Sequence, residues 1–219
     1  MKMKLTGAFA ALLATALLVA PAAAQTAAAD GGKQAGSILV RGRMLLVAPL
    51  NSSSSISVIG GDVKTTVSFT PEVDFSYFLT DNIALELIAA TSQHRISGHN
   101  TAIGNPKVAT TWVLPPALMA QYHFMPKSTF SPYVGAGINY TIFYNTRAGG
   151  GAVNSVKLDN NFGAVLQVGV DIDMGNRWFL NADVKQIFLD TKAKINGGAI
   201  VAKTALNPTV FGLGFGYRF

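Results

Sequence analysis

The sequence has little charge and no cysteine. Only 13% of its 219 residues are Asp, Glu, Lys or Arg. Without cysteine, a disulfide framework and any zinc or redox site built on thiolates are excluded. The scarcity of charge argues against a soluble domain, which has to present a polar surface to water on all sides. With 49% hydrophobic residues and a mean hydropathy of +0.33, the composition is typical of a membrane protein.

The first 24 residues have the features of a secretory signal peptide. Lys2 and Lys4 give a positively charged start, residues 5–19 are mostly apolar, and residues 22–24 are three alanines that offer a cleavage site. We therefore expect residues 1–24 to be cleaved and the mature protein to leave the cytoplasm.

Apolar helices long enough to cross a membrane are also missing. Residues 108–126 and 128–146 each form a 19-residue stretch without Asp, Glu, Lys or Arg. The first stretch contains Pro115 and Pro116, and the second contains Pro132 with several glycines and polar residues. Because proline removes a backbone donor and clashes with the preceding helical turn, neither stretch is expected to form a membrane helix.

Apolar and polar residues instead alternate with a period of two. Between Val67 and Tyr77 the odd positions are apolar, whereas the even positions are Ser, Thr, Glu or Asp. This pattern predicts a strand with one apolar and one polar face. The alternation recurs along the chain and predicts eight strands, near residues 37–47, 67–77, 83–89, 118–124, 134–144, 162–172, 178–185 and 211–219.

The connections between these strands alternate in length. Short connections are expected at 79–82, 125–131 and 173–177, and long ones at 48–66, 92–111, 145–158 and 191–206. This layout predicts an all-β fold: an eight-stranded, antiparallel, up-and-down transmembrane β-barrel with short periplasmic turns and long extracellular loops. A soluble β-sandwich also alternates, but it covers its outside with charge that this sequence lacks.

The domain organisation follows from where the alternation begins. Residues 25–36 are small and polar and do not alternate, so a flexible periplasmic segment is expected there. The barrel is expected to occupy residues 37–219.

Several motifs resemble those of one known family. They are YFLTDNIALEL at 77–87, LPPALMAQYHF at 114–124, SPYVGAGINYT at 131–141 and GYRF at 216–219. In this order they resemble the OmpW family of Gram-negative outer-membrane proteins, over nearly the whole mature chain. The resemblance implies an outer-membrane location and a narrow eight-stranded barrel that passes small hydrophobic molecules inward. It also implies a relation to AlkL-type proteins, which are associated with alkane uptake.

The polar strand faces place charges of both signs inside the barrel. Eight strands leave an interior only just wide enough for side chains, and a buried charge without a partner costs several kcal/mol. We therefore expect an ion-paired plug rather than a water-filled channel, while a proton or ion path stays open as an alternative. The expected plug residues are Arg41, Arg43, Glu72, Asp74, Glu86, Asp171, Asp183, Lys185 and Arg218.

Nearer the outer end, the residues expected to face the lumen become apolar. A hydrophobic ligand could enter this region from outside and leave sideways through the barrel wall. Pro115 and Pro116 remove two backbone donors and are the expected lateral exit, although they could instead mark only a bend. The expected path residues are Trp112, Leu114, Met119, Phe143, Ile187 and Leu189.

Two further features concern partners. The apolar parity of the last strand resembles the C-terminal signal read by the barrel-assembly machinery, although a lipid-facing strand alone would also explain it. That signal comprises Phe211, Leu213, Phe215, Tyr217 and Phe219. The basic loop residues could contact lipopolysaccharide phosphates or simply be solvated, and nucleic acid is not an expected partner. They are Lys64, Arg95, Lys107, Arg147, Lys157, Lys192, Lys194 and Lys203.

The sequence offers no catalytic or cofactor motif. His94, His99 and His123 lack the spacing of known metal motifs, there is no GxSxG elbow, and no helix is expected after the glycine-rich stretches. We therefore expect no enzyme activity, no metal and no cofactor. Two functions remain open: passive uptake of small hydrophobic molecules with lateral release, or a non-transporting barrel that serves envelope integrity, lipopolysaccharide contact or adhesion.

Overall fold

The computed structural model describes residues 31–50 and 53–219, which are almost entirely β-strands with one 3-10 turn at Asn196–Gly198. Within these residues no helix is long and apolar enough to cross a membrane. The expected signal peptide, residues 1–24, lies outside the described residues.

The described residues contain fifteen strands. They are β1 (Ile38–Ala48), β2 (Ser53–Ile56), β3 (Asp62–Thr65), β4 (Ser68–Phe78), β5 (Ile83–Ala90), β6 (Ser92–His99), β7 (Lys107–Leu114), β8 (Ala117–His123), β9 (Phe130–Ala148), β10 (Val156–Leu158), β11 (Asn161–Gly175), β12 (Trp178–Phe188), β13 (Asp190–Ile195), β14 (Ile200–Ala205) and β15 (Thr209–Arg218).

Eight of these strands close into a barrel. In order around the wall they are β1, β4, β5, β8, β9, β11, β12 and β15, every neighbouring pair is antiparallel, and β15 pairs back to β1. The predicted eight-stranded antiparallel barrel is therefore confirmed. Closure leaves no barrel strand with an unpaired edge, which is the condition for placing strands in lipid.

The turns at one end of the barrel are short. Residues 79–82 join β4 to β5, and residues 124–129 join β8 to β9. Only Asn176 and Arg177 lie between β11 and β12, and both have positive φ, as a tight hairpin turn requires. These turns mark the periplasmic end in the layout predicted from the sequence.

The connections at the other end are long, as predicted, but much of their length is strand rather than irregular loop. Strands β5 and β12 continue past Thr91 and Leu189 into β6 and β13, and β7 leads into β8 across Pro115 and Pro116. Two sheets result, one of β3, β6, β7 and the upper part of β9, the other of β10, β13, β14 and β2. They extend the barrel beyond the membrane.

The alternation read from the sequence sorts the side chains correctly. On β4, Thr70, Glu72, Asp74 and Ser76 are buried in the lumen, whereas Phe69 on the other face is 75% exposed. Aromatic residues ring the outside near both ends, as outer-membrane barrels require at the lipid interfaces. They include Tyr77, Tyr122, Phe124, Trp178 and Phe219 toward the periplasm and Trp112, Tyr140, Tyr144 and Phe162 toward the exterior.

Candidate functional site

Arg41 lies at the centre of the lower lumen. It is fully buried, and its Nη1 donates hydrogen bonds to Asp74 Oδ1 and Ser76 Oγ, both at 2.7 Å. Carboxylate oxygens of Glu86 and Asp171 are each 3.4 Å from the same guanidinium. One cation on β1 thus joins carboxylates from three other strands.

Arg43 makes a second hub one layer further outward on β1. Its guanidinium lies 2.5 Å from Glu72, 2.8 Å from Asp74, 3.2 Å from Glu86 and 3.0 Å from Asp183. All of these side chains are almost fully buried. Because four carboxylates converge on one guanidinium, this layer fills the lumen with fixed, paired charge.

Lys185 on β12 completes the network. Its Nζ lies 2.7 Å from Asp183 and 3.3 Å from Glu72. Gln167 donates to Asp183 at 2.8 Å and accepts from Gln121 at 3.0 Å, which carries the network across the lumen. The structure therefore brings eight of the nine predicted plug residues into one cluster.

Arg218, the ninth, lies one layer nearer the periplasm, since it pairs in register with Leu39. It lines a small cleft together with Lys33 and Asp171. It is 8% exposed, so it belongs to the periplasmic end of the plug rather than to its centre.

The sequence analysis did not include Lys33 in the plug. Its Nζ lies 2.9 Å from Asp171, and its backbone N–H donates to the Pro126 carbonyl at 2.8 Å. Burial lowers the pKa of Lys33, while the Asp171 carboxylate acts in the opposite direction. The Gly36 N–H donates to Phe78 O at 2.8 Å. These contacts correct the expectation of a flexible segment for residues 33–36, while residues 25–30 lie outside the described part of the chain.

Several uncharged plug members were also missed. Asn181 donates to Asp171 at 2.7 Å and to the Tyr133 hydroxyl at 3.0 Å. The buried His123 ring lies 4.8 Å from the Tyr133 ring and 4.9 Å from that of Phe78. All four side chains share the parity of the polar residues on their own strands, so applying that parity to every side chain would have found them.

Above the plug lies an apolar cavity with about 110 Å³ of space for the centres of water-sized molecules. Glu72 and Lys185 at the top of the plug contribute the charged groups of its lining. Both extracellular sheets supply apolar walls, which include Ile56, Val63, Ile96, Val108, Leu158 and Ile195. A concave site with apolar walls above a closed polar layer suits a small hydrophobic molecule.

The predicted path residues divide into three groups. Phe143, Ile187 and Leu189 line the cavity. Met119 is fully buried and packs with Ile88 and other residues of the cavity floor.

Trp112 and Leu114 do not line the cavity, and the expectation was wrong for these two residues. They pair with Tyr144 and Ile142 on β9, and Trp112 stacks on the Tyr144 ring at 6.2 Å. Even-numbered residues of this segment share the outward parity of Leu118, so Thr111, Val113 and Pro115 face the cavity instead.

The wall beside Pro115 and Pro116 is interrupted. The ladder between the two chain segments ends at Ile88 and Ala117 and resumes at Ser92 and Val113. Proline has no N–H to donate, which accounts for the interruption. We call this interruption, residues 89–91 opposite 114–116, the proline seam.

Residues 89–91 are also incompletely paired with their other neighbour, β4. Pairing of β4 with β5 ends at Glu72 and Ala90, and further up the Thr66 N–H donates to Arg95 O at 3.1 Å. The Thr70 hydroxyl bridges this stretch by donating to the Thr91 carbonyl. Ala90 and Pro115 both line the cavity, so the seam borders it directly.

The remaining candidates are dispersed. Among residues 31–50 and 53–219, no group of three or more His, Asp and Glu side chains is placed to hold a metal ion. His94 hydrogen-bonds to Ser92 at 2.9 Å and to the Thr66 carbonyl at 2.8 Å. On β15, Phe211, Leu213 and Phe215 are exposed on the outer wall, as is the terminal Phe219, with Tyr217 between them half-buried.

The described features match one family of known proteins. The family profile described as OmpW matches residues 34–219. The chain belongs to the OmpW family. An uncharacterized outer-membrane protein of Sinorhizobium fredii, y4mB, is 43% identical over 202 residues, which cover 91% of this chain and 86% of that protein. Outer membrane protein W of Vibrio cholerae is 35% identical over 195 residues, 85% of this chain and 90% of that one.

A solved structure agrees with the barrel. The crystal structure of the outer membrane protein OprG from Pseudomonas aeruginosa superposes with a TM-score of 0.78 at 30% identity, covering 86% of this chain and 98% of that one. The protein is thus an OmpW-family barrel of the Gram-negative outer membrane, where lipid surrounds its wall.

Proposed function

We propose that this OmpW-family barrel lets small hydrophobic molecules pass into the outer membrane without an energy source, a cofactor or catalysis. The molecule enters the apolar cavity from outside and leaves sideways into lipid through the proline seam. The observation that carries this proposal is the position of the cavity: it lies between the extracellular sheets, above an ion-paired layer, and borders an interrupted wall.

The polar plug supports lateral rather than straight passage. An apolar molecule that crossed it would have to separate Arg43 and Lys185 from their carboxylates, and each uncompensated buried charge costs several kcal/mol. At the seam, the molecule passes between the small side chains of Ala89 and Ala90 and the two prolines. On the lipid side it meets Leu87 and Leu118, which are about half exposed.

The experiment compares uptake into liposomes by cavity and control variants. Phe143→Asp and Leu189→Asp place a charge in the cavity wall. Because an uncompensated charge in apolar surroundings costs several kcal/mol, we expect each to lower protein-dependent influx of a small apolar dye at least about tenfold. Val58→Asp makes the same chemical change on an 85% exposed turn residue and should leave influx unchanged.

Correct folding is checked by heat-modifiable migration in gels, which all three variants should retain. If the cavity variants keep the wild-type rate, the cavity is not the route. The second function that the sequence left open, a non-transporting barrel, would then gain support.

A further inference from the structure

The outer face of the sheet formed by β10, β13, β14 and β2 carries directly opposed lysines. Lys157 on β10 pairs in register with Lys194 on β13, and Lys192 on β13 pairs with Lys203 on β14. All four side chains are exposed. We call these four residues the lysine face.

Opposed lysines are costly unless an anion lies between them. Side chains directly opposite on antiparallel strands have Cβ atoms about 4.5–5.5 Å apart, and like charges in such pairs destabilise the sheet. Lys194 has an ion pair with Asp159 at 3.5 Å, and Asp190 shares the outer face with Lys192. Two carboxylates therefore stand against four ammonium groups, which leaves the face basic.

The other extracellular sheet keeps its basic residues apart. Lys64 and Lys107 both pair in register with Ser97, which lies between them. Arg95 and Arg147 are likewise separated by Thr110. Face-to-face lysines are thus a property of one sheet and not of all the basic extracellular residues.

The height of the lysine face above the membrane is set by the strand that carries it. Phe188, at the end of β12, is 47% exposed on the same face as Lys192. Four residues at about 3.3 Å each place Lys192 about 13 Å further along the strand, which is about 10 Å along the barrel axis at a tilt of about 35–45°. Aromatic residues of outer-membrane barrels mark the lipid interface, so Lys192 lies on the extracellular side of that interface, where polar headgroups are found.

Hydrogen-bonding groups surround the Lys192–Lys203 pair. A surface cleft beside the pair is lined also by Ser55, Asn160 and Asn161, and by Asp159 and Asp190, the two carboxylates already counted against the four lysines. Hydroxyl and amide groups together with two ammonium groups suit a phosphate attached to a sugar, because charge-assisted hydrogen bonds to phosphate oxygens are stronger than neutral ones.

We propose that the lysine face binds the phosphates of lipopolysaccharide in the outer leaflet, with one phosphate between Lys192 and Lys203. The bound phosphate removes the repulsion between the two lysines and ties the extracellular sheet to the lipid around the barrel. This contact is independent of the cavity and its cargo.

The test measures binding of purified lipid A to the full barrel in detergent by native mass spectrometry. Lys192→Glu/Lys203→Glu reverses the charge of one opposed pair, and Lys64→Glu/Lys107→Glu makes the same charge change on the other sheet. A lysine near anionic lipid contributes about 1 kcal/mol, so the first variant should weaken binding of lipid A with both phosphates at least about tenfold. Ser97 separates Lys64 from Lys107, so they form no opposed pair for a phosphate, and the control variant should change binding less than about twofold.

Lipid A stripped of its phosphates identifies the group that is recognised. It should bind the wild-type barrel as weakly as the intact lipid binds the charge-reversed pair. Equal losses in both variants, no loss in either, or equal binding of the stripped lipid would each overturn the proposal. If inorganic phosphate binds the pair but does not reduce binding of lipid A, the pair holds an adventitious ion only, and the proposal is overturned.

A second measurement separates loss of the phosphate site from loss of the fold. Lys203→Glu alone turns the repulsion with Lys192 into attraction, so it should raise the thermal midpoint of the lipid-free barrel while it weakens lipid A binding. Lipid A should raise the midpoint of the wild type and leave that of this variant unchanged. If the midpoint falls together with binding, the lysine pair is structural and the proposal is wrong.

Discussion

Replacing Arg43 by methionine tests whether the ion-paired plug holds the barrel together. Methionine keeps much of the length of the side chain but removes the charge that lies within 3.2 Å of Glu72, Asp74, Glu86 and Asp183. Arg41 and Lys185 then remain as the nearby cations for four buried carboxylates.

The size of the effect follows from these contacts. One hydrogen bond to a charged group contributes about 1.5–3 kcal/mol to the free energy of unfolding. Four such contacts therefore set an upper limit on the loss of stability that is well above the cost of losing one buried pair. Carboxylates can take up protons and neighbouring side chains can move, which brings the expected loss to the range of about 3–5 kcal/mol found when one partner of a buried pair is removed. That is a large part of a typical stability of about 5–15 kcal/mol.

The assay is urea unfolding in lipid vesicles, followed by the fluorescence of Trp112 and Trp178. Lys127→Met is the matched control, because it breaks the 2.7 Å pair between Lys127 and Asp81, whose side chains are 62% and 38% exposed. The control should lower the unfolding midpoint far less than Arg43→Met does, since exposed pairs are weak. If Arg43→Met lowers it no more than Lys127→Met, the buried network does not hold the barrel together.

Three further predictions concern the seam, the periplasmic turn and the lumen packing. Replacing Pro115–Pro116 by two valines restores two backbone donors and should slow dye influx severalfold while the cavity still binds the dye. The hydrogen bond from Lys127 holds the pKa of Asp81 below its ordinary value of 3.8. Its stabilisation is therefore complete above that pH and is lost as the pH falls further, so wild type and Asp81→Asn should differ in thermal midpoint at pH 7 and converge below pH 3.8. Gly169→Ala places a methyl group into the Tyr133 ring and should cost about 1–3 kcal/mol in urea unfolding.

Matched substitutions serve as controls for two of these predictions. Pro106→Val lies in the connection between β6 and β7, away from the seam, and should leave dye influx as in the wild type. Gly42→Ala adds a methyl group where no atom lies within 4 Å, so its unfolding midpoint should stay near the wild-type value. If Gly169→Ala is as mild as Gly42→Ala, close packing of Tyr133 does not limit the lumen.

The barrel strands could be predicted because lipid and lumen impose opposite chemistry on alternate residues. Between Val67 and Tyr77 every side chain faces the side that its polarity predicts. The same parity could have placed Trp112 and Leu114 on the outer wall. Their apolar character and their closeness to the rim predict the path instead, and this signal is weaker than parity.

Other features depend on contacts that no short-range pattern carries. The ion pair between Lys33 and Asp171 joins residues 138 positions apart. Lys33 lies in a segment whose composition is typical of a flexible chain. Strands β2, β3, β13 and β14 are only four to six residues long and rich in Ser, Thr and Lys, so their sequences resemble loops. Pairing between distant connections, and not local periodicity, makes them strands.

The most direct test of the account measures apolar dye influx and ion conductance in the same liposome preparation of refolded protein. The account predicts faster dye influx than in empty liposomes, without large ion steps, because the lumen below the cavity is filled by paired charge. Sizeable ion conductance would contradict it, since a lumen that conducts ions is not closed by the plug. If the protein produces neither faster dye influx nor ion conductance, the transport role itself is contradicted.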